Sequence, residues 1–160
     1  MQLPNVSHRA HSLCLRAAIA IGAAVMLVTM ADAAAGVPQF TSPLDDSPLE
    51  IKPLPSEKIT DAVQKFYDTA DDPYKGDTQA LPEGKELYDT YCQACHLPDG
   101  SGRIGPSLIG DTHRYPRVTT DKGMFEIVYG GATGAMQPMG KRLTQDQILR
   151  IIAYVRSLKK

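Results

Sequence analysis

The sequence is poor in the residues on which cross-linked and nucleic-acid-binding proteins depend. Its 160 residues include no tryptophan and only three cysteines, too few for the disulfide framework of a cysteine-rich secreted domain. The charges of its 17 basic and 18 acidic residues nearly cancel. The basic residues form no dense cluster, which argues against a nucleic-acid-binding protein. A few particular residues, rather than the overall composition, must therefore carry the function.

Long apolar runs are scarce as well. The run from Ala17 to Met30 has 14 residues, whereas a helix needs about 20 to cross a bilayer core. Basic residues precede it and the small residues of 31–35 follow it, which is the pattern of a secretory signal. We therefore predict a signal peptide over 1–35 that removes Cys14, and no stable membrane insertion afterwards. A retained membrane anchor is the alternative.

The two other cysteines stand in a C-x-x-C-H motif formed by Cys92, Cys95 and His96. This motif attaches a c-type haem: both thiols form thioethers with the haem vinyl groups, and the adjacent imidazole reaches the iron. A thioredoxin-like site would need a surrounding βαβ pattern, and structural zinc would need another Cys or Cys/His pair downstream; the sequence has neither. We predict one covalent haem c, held by Cys92 and Cys95, with His96 as an iron ligand.

Apolar residues recur at helical spacing, and strand-like alternation of useful length does not occur. We predict helices over 57–70 after an N-cap at Ser56, over 83–95, over 120–129, and after a Thr144–Gln147 capping box. Gly84 lies within the second helix, where it costs about 1 kcal/mol relative to Ala, so we expect another helix to cross there. The fold class is all-α, with helices and loops wrapped around a haem.

Two features of the sequence are not helical. Residues 36–55 are rich in Pro, Ser and Asp, which predicts an extended arm rather than a packed element. Charge is uneven: residues 41–100 contain 13 acids and 5 bases, whereas residues 101–160 contain 4 acids and 10 bases. The imbalance is either ordinary solvated surface or a dipole that orients docking.

The iron position opposite His96 decides what a haem protein can do. A side chain there favours electron exchange, and an open position permits gas binding or chemistry. The candidates are Met124, Met136, Met139 and His113. Met124 falls in a predicted helix, whereas Met136 lies in an irregular Gly-rich loop that lets the backbone approach the haem. We favour Met136; Met139, His113 and an open position remain alternatives.

The order of these features resembles the class I cytochromes c, which share the C-x-x-C-H helix, a G-P-x-L sequence, a Met loop and a terminal amphipathic helix. The resemblance implies a class I cytochrome c domain over 81–160, preceded by an N-terminal extension with one helix over 36–80. It implies that the peptide carbonyl of Pro106 accepts a hydrogen bond from His96. The ligand Met of the family lies seven residues before a Leu-Ser/Thr pair, and Met136 has this spacing.

A narrower resemblance is to the cytochrome cL family, the electron acceptors of quinoprotein methanol dehydrogenases. It rests on the sequence from Tyr115 to Phe125, which contains Tyr-Pro and T-T-D-x-G elements, and on G-G-A-x-G over 130–134. It makes Tyr115 and Arg114 candidate partners of the haem propionates. Cytochrome cL has a Trp where this chain has His113, so calcium- and lanthanide-dependent dehydrogenases are both candidate donors.

The resemblance to cytochrome cL implies a periplasmic, monomeric electron carrier that is not itself an enzyme. Its donor would be a PQQ-dependent alcohol or methanol dehydrogenase, and its acceptor a second cytochrome c or an oxidase. The acidic 41–100 half is the first choice for docking, because cytochrome cL presents carboxylates to lysines of its partner. A haem-based catalyst or gas sensor with a labile sixth ligand is the alternative, although the sequence shows no evident distal His.

Overall fold

The computed structural model of the protein describes residues 38–159, so the predicted signal peptide lies outside the described residues. In this part the chain forms five α-helices and one 3₁₀ turn: α1 (Asp61–Thr69), α2 (Leu81–Tyr91), α3 (Gln93–His96), the 3₁₀ turn (Pro116–Thr119), α4 (Asp121–Gly130) and α5 (Gln145–Leu158). The all-α prediction is confirmed, since the described residues contain no strand beyond an isolated bridge between Thr41 and Pro48. Within 38–159, no helix is both long and apolar enough to cross a membrane.

Helices α2 and α5 cross at Gly84, as predicted from the sequence. A Cβ at Gly84 would lie 3.1 Å from the Cβ of Tyr154, and closer still to the α5 backbone. One turn further along α2, the rings of Tyr88 and Tyr154 pack with their centroids 5.3 Å apart. The missing side chain thus lets two helices approach closely enough to form the framework on which the haem motif is placed.

Helix α5 begins with the predicted capping box. Thr144 Oγ1 accepts from the Gln147 backbone N–H at 3.2 Å, and Gln147 Oε1 accepts from the Thr144 N–H at 3.0 Å. The helix then buries one apolar face, which includes Ile148, Ile151, Ile152 and Val155. Each such side chain stabilises the fold by about 1.5–3 kcal/mol. A short local signal therefore sets the start of a helix that contributes a large part of the core.

The predicted start of the first helix is wrong. Helix α1 begins at Asp61 after Thr60, whose hydroxyl accepts from the Val63 N–H at 3.2 Å, and not after Ser56. Glu57 lies outside the helix because its carboxylate has other partners. It accepts from the N–H of Leu54 at 2.8 Å and from the N–H of Gln145 at 2.6 Å. This second bond links the segment before α1 to the first turn of α5.

The prediction that residues 36–55 are not packed is also wrong. The Phe40 ring lies 5.6 Å from the Phe66 ring and 5.7 Å from the Phe125 ring, centroid to centroid. The N–H of the next residue, Thr41, donates to Glu126 Oε1 at 2.8 Å. The proline-rich composition correctly predicts an irregular backbone, but it carries no information about the aromatic cluster that Phe40 joins.

The predicted 83–95 helix is interrupted within the haem motif. Helix α2 ends at Tyr91, and Cys92 has φ −120° and ψ −40° before α3 forms a single turn that ends at His96. Helix α4 agrees closely with its prediction. Thr120 caps it by accepting from the Gly123 N–H at 3.0 Å, and Gly131 follows its last residue with φ +79°.

Candidate haem site

A cavity of about 410 Å³ opens between the haem motif, the 105–108 loop, α4, the 132–137 loop and α5. This volume lies within the range of about 300–1,000 Å³ that is usual for cofactor pockets. Every site residue predicted from the sequence lines it: Cys92, Cys95, His96, Pro106, Tyr115 and Met136. The fold thus brings together residues that are separated by up to 44 positions in the chain.

Both cysteines of the motif are half-buried at the cavity wall. Burial, followed by the neighbouring Cys95, raises the pKa of the Cys92 thiol to about 12. A neutral thiol in apolar surroundings is a poor metal ligand and a poor disulfide-exchange nucleophile. Both cysteines nevertheless border the cavity, where thioethers to a haem would form.

The ring of His96 is oriented by a backbone carbonyl. His96 Nδ1 lies 2.9 Å from the carbonyl oxygen of Pro106, and the side chain is 8% exposed. A carbonyl can only accept a hydrogen bond, so Nδ1 carries the proton and Nε2 keeps its lone pair. A metal-binding imidazole usually has such a partner, and the lone pair on Nε2 leaves His96 able to bind iron.

Gly105 completes the support of this ring and was not among the predicted site residues. A Cβ at Gly105 would lie 2.5 Å from Cε1 of His96, so a side chain there would displace the imidazole. The Gly105 N–H donates to the carbonyl of Cys95 at 3.0 Å, which ties the loop to the haem motif. The position of Gly105 directly before Pro106 was the sequence signal that could have identified it.

Met136 and Met139 both line the cavity but have different environments. Met136 is half-buried in a loop that is closed by a 3.1 Å hydrogen bond from the Ala132 N–H to the Met136 carbonyl. Met139 also borders the cavity, but it is 8% exposed and belongs to the hydrophobic core, and its N–H donates to Val128 at 3.0 Å. Met139 therefore has a packing role, whereas Met136 has few core contacts to explain its presence.

Two loops meet at the polar edge of the cavity. The phenol of Tyr115 hydrogen-bonds the hydroxyl of Thr133 and accepts from the Thr133 N–H at 3.2 Å. The bond to Thr133, with a smaller contribution from Arg114, lowers the pKa of Tyr115. His113 and Arg114 also line the cavity. Sequence reasoning missed Thr133, because only the folded chain shows that the two loops are adjacent.

The cavity fits a haem better than it fits a bare metal ion. Over residues 38–159, no three His, Cys, Asp or Glu side chains come together, as structural zinc would require. Most lining side chains are apolar, and none from the described part of the chain is acidic. Two cysteines, an oriented imidazole and a methionine at one apolar cavity suit a flat apolar cofactor that contains iron. The helical fold and this cavity define a class I c-type cytochrome.

Comparison with known proteins identifies the family more narrowly. Cytochrome c-L of Methylorubrum extorquens is 40% identical over 99 residues. The crystal structure of cytochrome cL from Hyphomicrobium denitrificans matches with a TM-score of 0.74 and 38% identity over 78% of this chain and 75% of that chain. Cytochrome cL from the marine methylotroph Methylophaga aminisulfidivorans matches with a TM-score of 0.74 and 36% identity, over 76% and 81% of the respective chains. The chain belongs to the cytochrome cL family of c-type cytochromes.

Two further results show how much of the chain these similarities cover. A family model described as "Cytochrome C oxidase, cbb3-type, subunit III" matches residues 79–155, which form most of the cavity. The match to Methylorubrum cytochrome c-L spans 62% of this chain and 50% of that protein. Members of the family carry one covalent haem c, which the residues of the cavity fit. The resemblance and the cofactor predicted from the sequence are thus confirmed.

Proposed function

We propose that the protein is a one-electron carrier that accepts electrons from a PQQ-dependent alcohol or methanol dehydrogenase and passes them toward a terminal oxidase. The observation that carries this proposal is the placement of His96 and Met136 at one apolar cavity, in a chain of the cytochrome cL family. His96 and Met136 would both hold the iron of a bound haem, which would leave no position for a substrate and would favour electron exchange. The protein would then have no catalytic residues of its own.

Each side chain has a separate role in this proposal. Bound haem c would supply an iron that takes up and releases one electron. Cys92 and Cys95 would hold the cofactor covalently, and Pro106 would keep His96 in the tautomer that binds iron. The Met136 loop would hold the second ligand in place, and the apolar lining would exclude water. Tyr115 would lie at the polar edge, where the propionates belong.

We further propose that the protein is exported to the periplasm and works there as a monomer. The basic start, apolar run and small residues of 1–35 support export. The domain division that we propose places an N-terminal extension over 36–80 and the cytochrome c domain over 81–160. The extension contributes Phe66 and Phe40 to the aromatic cluster, so we expect it to stay attached to the domain in the working carrier.

The donor can be tested by stopped-flow mixing of the oxidised full-length holoprotein with a reduced quinoprotein methanol dehydrogenase. Calcium- and lanthanide-dependent enzymes are tested separately, with glucose-reduced quinoprotein glucose dehydrogenase as the control donor. We expect rapid second-order reduction by at least one of the methanol dehydrogenases. If neither enzyme reduces the protein while dithionite does, the proposed donor is wrong.

The same protein tests the alternative function, a haem-based catalyst or gas sensor. An iron with both axial positions filled does not bind carbon monoxide readily, whereas an open or labile position does. We expect the ferrous protein at neutral pH to leave carbon monoxide unbound. Rapid and complete carbon monoxide binding by the unmodified protein would favour the sensor or catalyst over the carrier.

A further inference from the structure

Residues 38–55 run along one face of α4, and we call this segment the arm. The ring of Phe40 lies 5.7 Å from the ring of Phe125, centroid to centroid. The N–H of Thr41 donates to the Glu126 carboxylate at 2.8 Å. The side chain of Glu126 is only 3% exposed, so this N–H supplies one of the hydrogen bonds that a buried carboxylate requires. The arm is thus anchored to the middle of α4.

The arm also reaches the last two residues of this helix. The phenol of Tyr129 accepts from the Lys52 N–H at 2.8 Å and donates to the Lys52 carbonyl at 3.1 Å. A Cβ at Gly130 would lie 3.2 Å from Cδ of Pro43 and 3.4 Å from a methyl carbon of Leu49. The arm therefore packs directly on the end of α4.

The face of α4 that turns away from the arm borders the cavity. The residues of α4 that line the cavity are Met124, Ile127 and Val128. Those that contact the arm include Phe125, Glu126, Tyr129 and Gly130. The two sets lie on opposite faces, because an α-helix turns by about 100° per residue. Contacts with the arm thus act on the helix that forms one wall of the cavity.

Residues 131–140, which we call the Met136 loop, begin and end at the last turn of α4. A Cβ at Gly131 would lie 2.9 Å from the carbonyl oxygen of Met136. The Gly140 N–H donates to the Tyr129 carbonyl at 3.1 Å, and a Cβ at Gly140 would lie 2.5 Å from Cε2 of the Tyr129 ring. Tyr129 therefore contacts the arm through its hydroxyl and the end of the Met136 loop through its ring and backbone.

We propose that Tyr129 is a positioning residue for Met136 and that the arm holds Tyr129 in place. This proposal rests on the carrier function, in which Met136 binds the iron of a bound haem. The loop must move for the thioether to leave the iron, and the contacts of Tyr129 and Leu49 oppose that movement. The arm would thus control ligand exchange at a cavity that none of its own residues lines.

The test measures how fast Met136 leaves the iron of the full-length ferric holoprotein. Saturating imidazole replaces the thioether as the loop opens, and the loss of the His/Met spectral features reports the rate. Tyr129→Phe removes both hydrogen bonds to Lys52 and keeps the ring. We expect exchange about tenfold faster than in the wild type, since two hydrogen bonds are lost.

Tyr67→Phe is the matched control for Tyr129→Phe. Tyr67 is also a half-buried phenol of the aromatic cluster, but it hydrogen-bonds Gln145 of α5. Its loss should change the exchange rate less than twofold. A wild-type rate in Tyr129→Phe would overturn the proposal. Equal acceleration in Tyr67→Phe would also overturn it, because ligand exchange would then follow the general stability of the fold.

A second pair of variants tests the arm itself. Leu49→Ala removes the side chain that packs on Gly130, whereas Leu44→Ala removes a side chain of the arm that is 60% exposed. We expect Leu49→Ala to exchange its ligand about fivefold faster than the wild type, and Leu44→Ala to differ less than twofold. Equal rates in these two variants would overturn the role of the arm.

Failure of the proposed ligand would be seen separately. If the wild type and Met136→Ala have the same ferric spectrum, Met136 does not bind the iron. Hydrogen exchange of peptides that span 131–140 then still tests the restraint, because the N–H groups of Ala132 and Gly140 are hydrogen-bonded within the protein. Exchange about tenfold faster in Tyr129→Phe than in Tyr67→Phe would support the restraint, and equal exchange would overturn it.

Discussion

The backbone N–H of Asp72 donates to Oδ2 of Asp121 at 3.2 Å, while Oδ2 of Asp72 itself is buried and has no hydrogen-bond partner among residues 38–159. Asp121 is paired with Arg156 at 3.0 Å, so Asp72 faces a carboxylate whose charge is already compensated. Burial, together with the smaller effect of Asp121, raises the pKa of Asp72 from 3.8 to about 7. The folded protein therefore holds a proton on Asp72 that the unfolded chain releases at a much lower pH.

Asp72 should make the fold less stable as the pH rises from about 4 to 8. The folded state binds the proton of Asp72 more tightly than the unfolded state does. The resulting stabilisation of the fold is therefore complete below the pKa of Asp72 in the unfolded chain, and it is lost as the pH rises past the pKa of Asp72 in the folded protein. Each unit of raised pKa corresponds to about 1.4 kcal/mol. Asp72→Asn, which stays neutral, should gain stability relative to the wild type over this range. Urea unfolding of the holoprotein at several pH values measures the difference, with the exposed Asp71→Asn as control. A constant difference between Asp72→Asn and the wild type across the range would contradict the expectation.

Alanine substitutions of Met136 and Met139 should distinguish a role in iron ligation from a role in core packing. Met136→Ala should abolish the spectral features of His/Met ligation and open the iron to exogenous ligands, because it removes the thioether. Met139→Ala should keep those features but lower the free energy of unfolding by about 2–5 kcal/mol, as core truncations of this size do. Ferric absorption spectra and denaturant unfolding of both variants provide the comparison. The opposite pattern would make Met139 the ligand.

Gly84→Ala should destabilise the protein, although alanine is the better helix former by about 1 kcal/mol. Its Cβ would lie 2.2 Å from the carbonyl oxygen of Arg150, a backbone atom that cannot move aside cheaply. Separating α2 from α5 to relieve such overpacking costs about 1–3 kcal/mol or more. Thermal unfolding should show a lower midpoint for Gly84→Ala than for a control, Gly76→Ala, which meets no atom within 4 Å and suffers only the strain of φ +80°. A raised midpoint for Gly84→Ala would mean that the crossing is looser than the structure shows.

Gly105→Ala should impair the haem site without a comparable effect on the rest of the fold. The new Cβ would lie 2.5 Å from Cε1 of His96 and would force the ring away from the Pro106 carbonyl. We expect a smaller yield of covalently attached haem, or an altered reduction potential in the protein that does form. Gly110→Ala is the control, because its φ of +105° brings strain but no neighbour lies within 4 Å. Equal haem yields and potentials in the two variants would argue against a supporting role for Gly105.

Much of the site could be predicted because its chemistry is encoded locally. The spacing of Cys92, Cys95 and His96 is sufficient to indicate haem attachment. The capping box between Thr144 and Gln147 marks the start of α5 in the same way, through two hydrogen bonds within one turn. These interactions involve residues at most four positions apart, so the sequence contains both partners together.

The packing role of Gly84 could be predicted only in part from the sequence. Its unfavourable helix propensity predicted a close contact, but the contact atom, the carbonyl of Arg150, lies 66 residues further along the chain. The absence of a side chain at Gly84 thus indicated that another segment packs closely against this helix, but it did not indicate which segment. The structure identifies this partner as α5.

The sequence by itself determined the haem motif, the helical class and the capping box of the last helix, because each depends on neighbours along the chain. Only the tertiary structure decided that Phe40 joins the core, that Glu57 is linked to α5 rather than included in α1, and that Tyr115 meets Thr133 at the cavity. These outcomes depend on pairs of groups far apart in the chain. Burial and ion pairing act between such groups only once the fold has brought them within a few ångströms of each other.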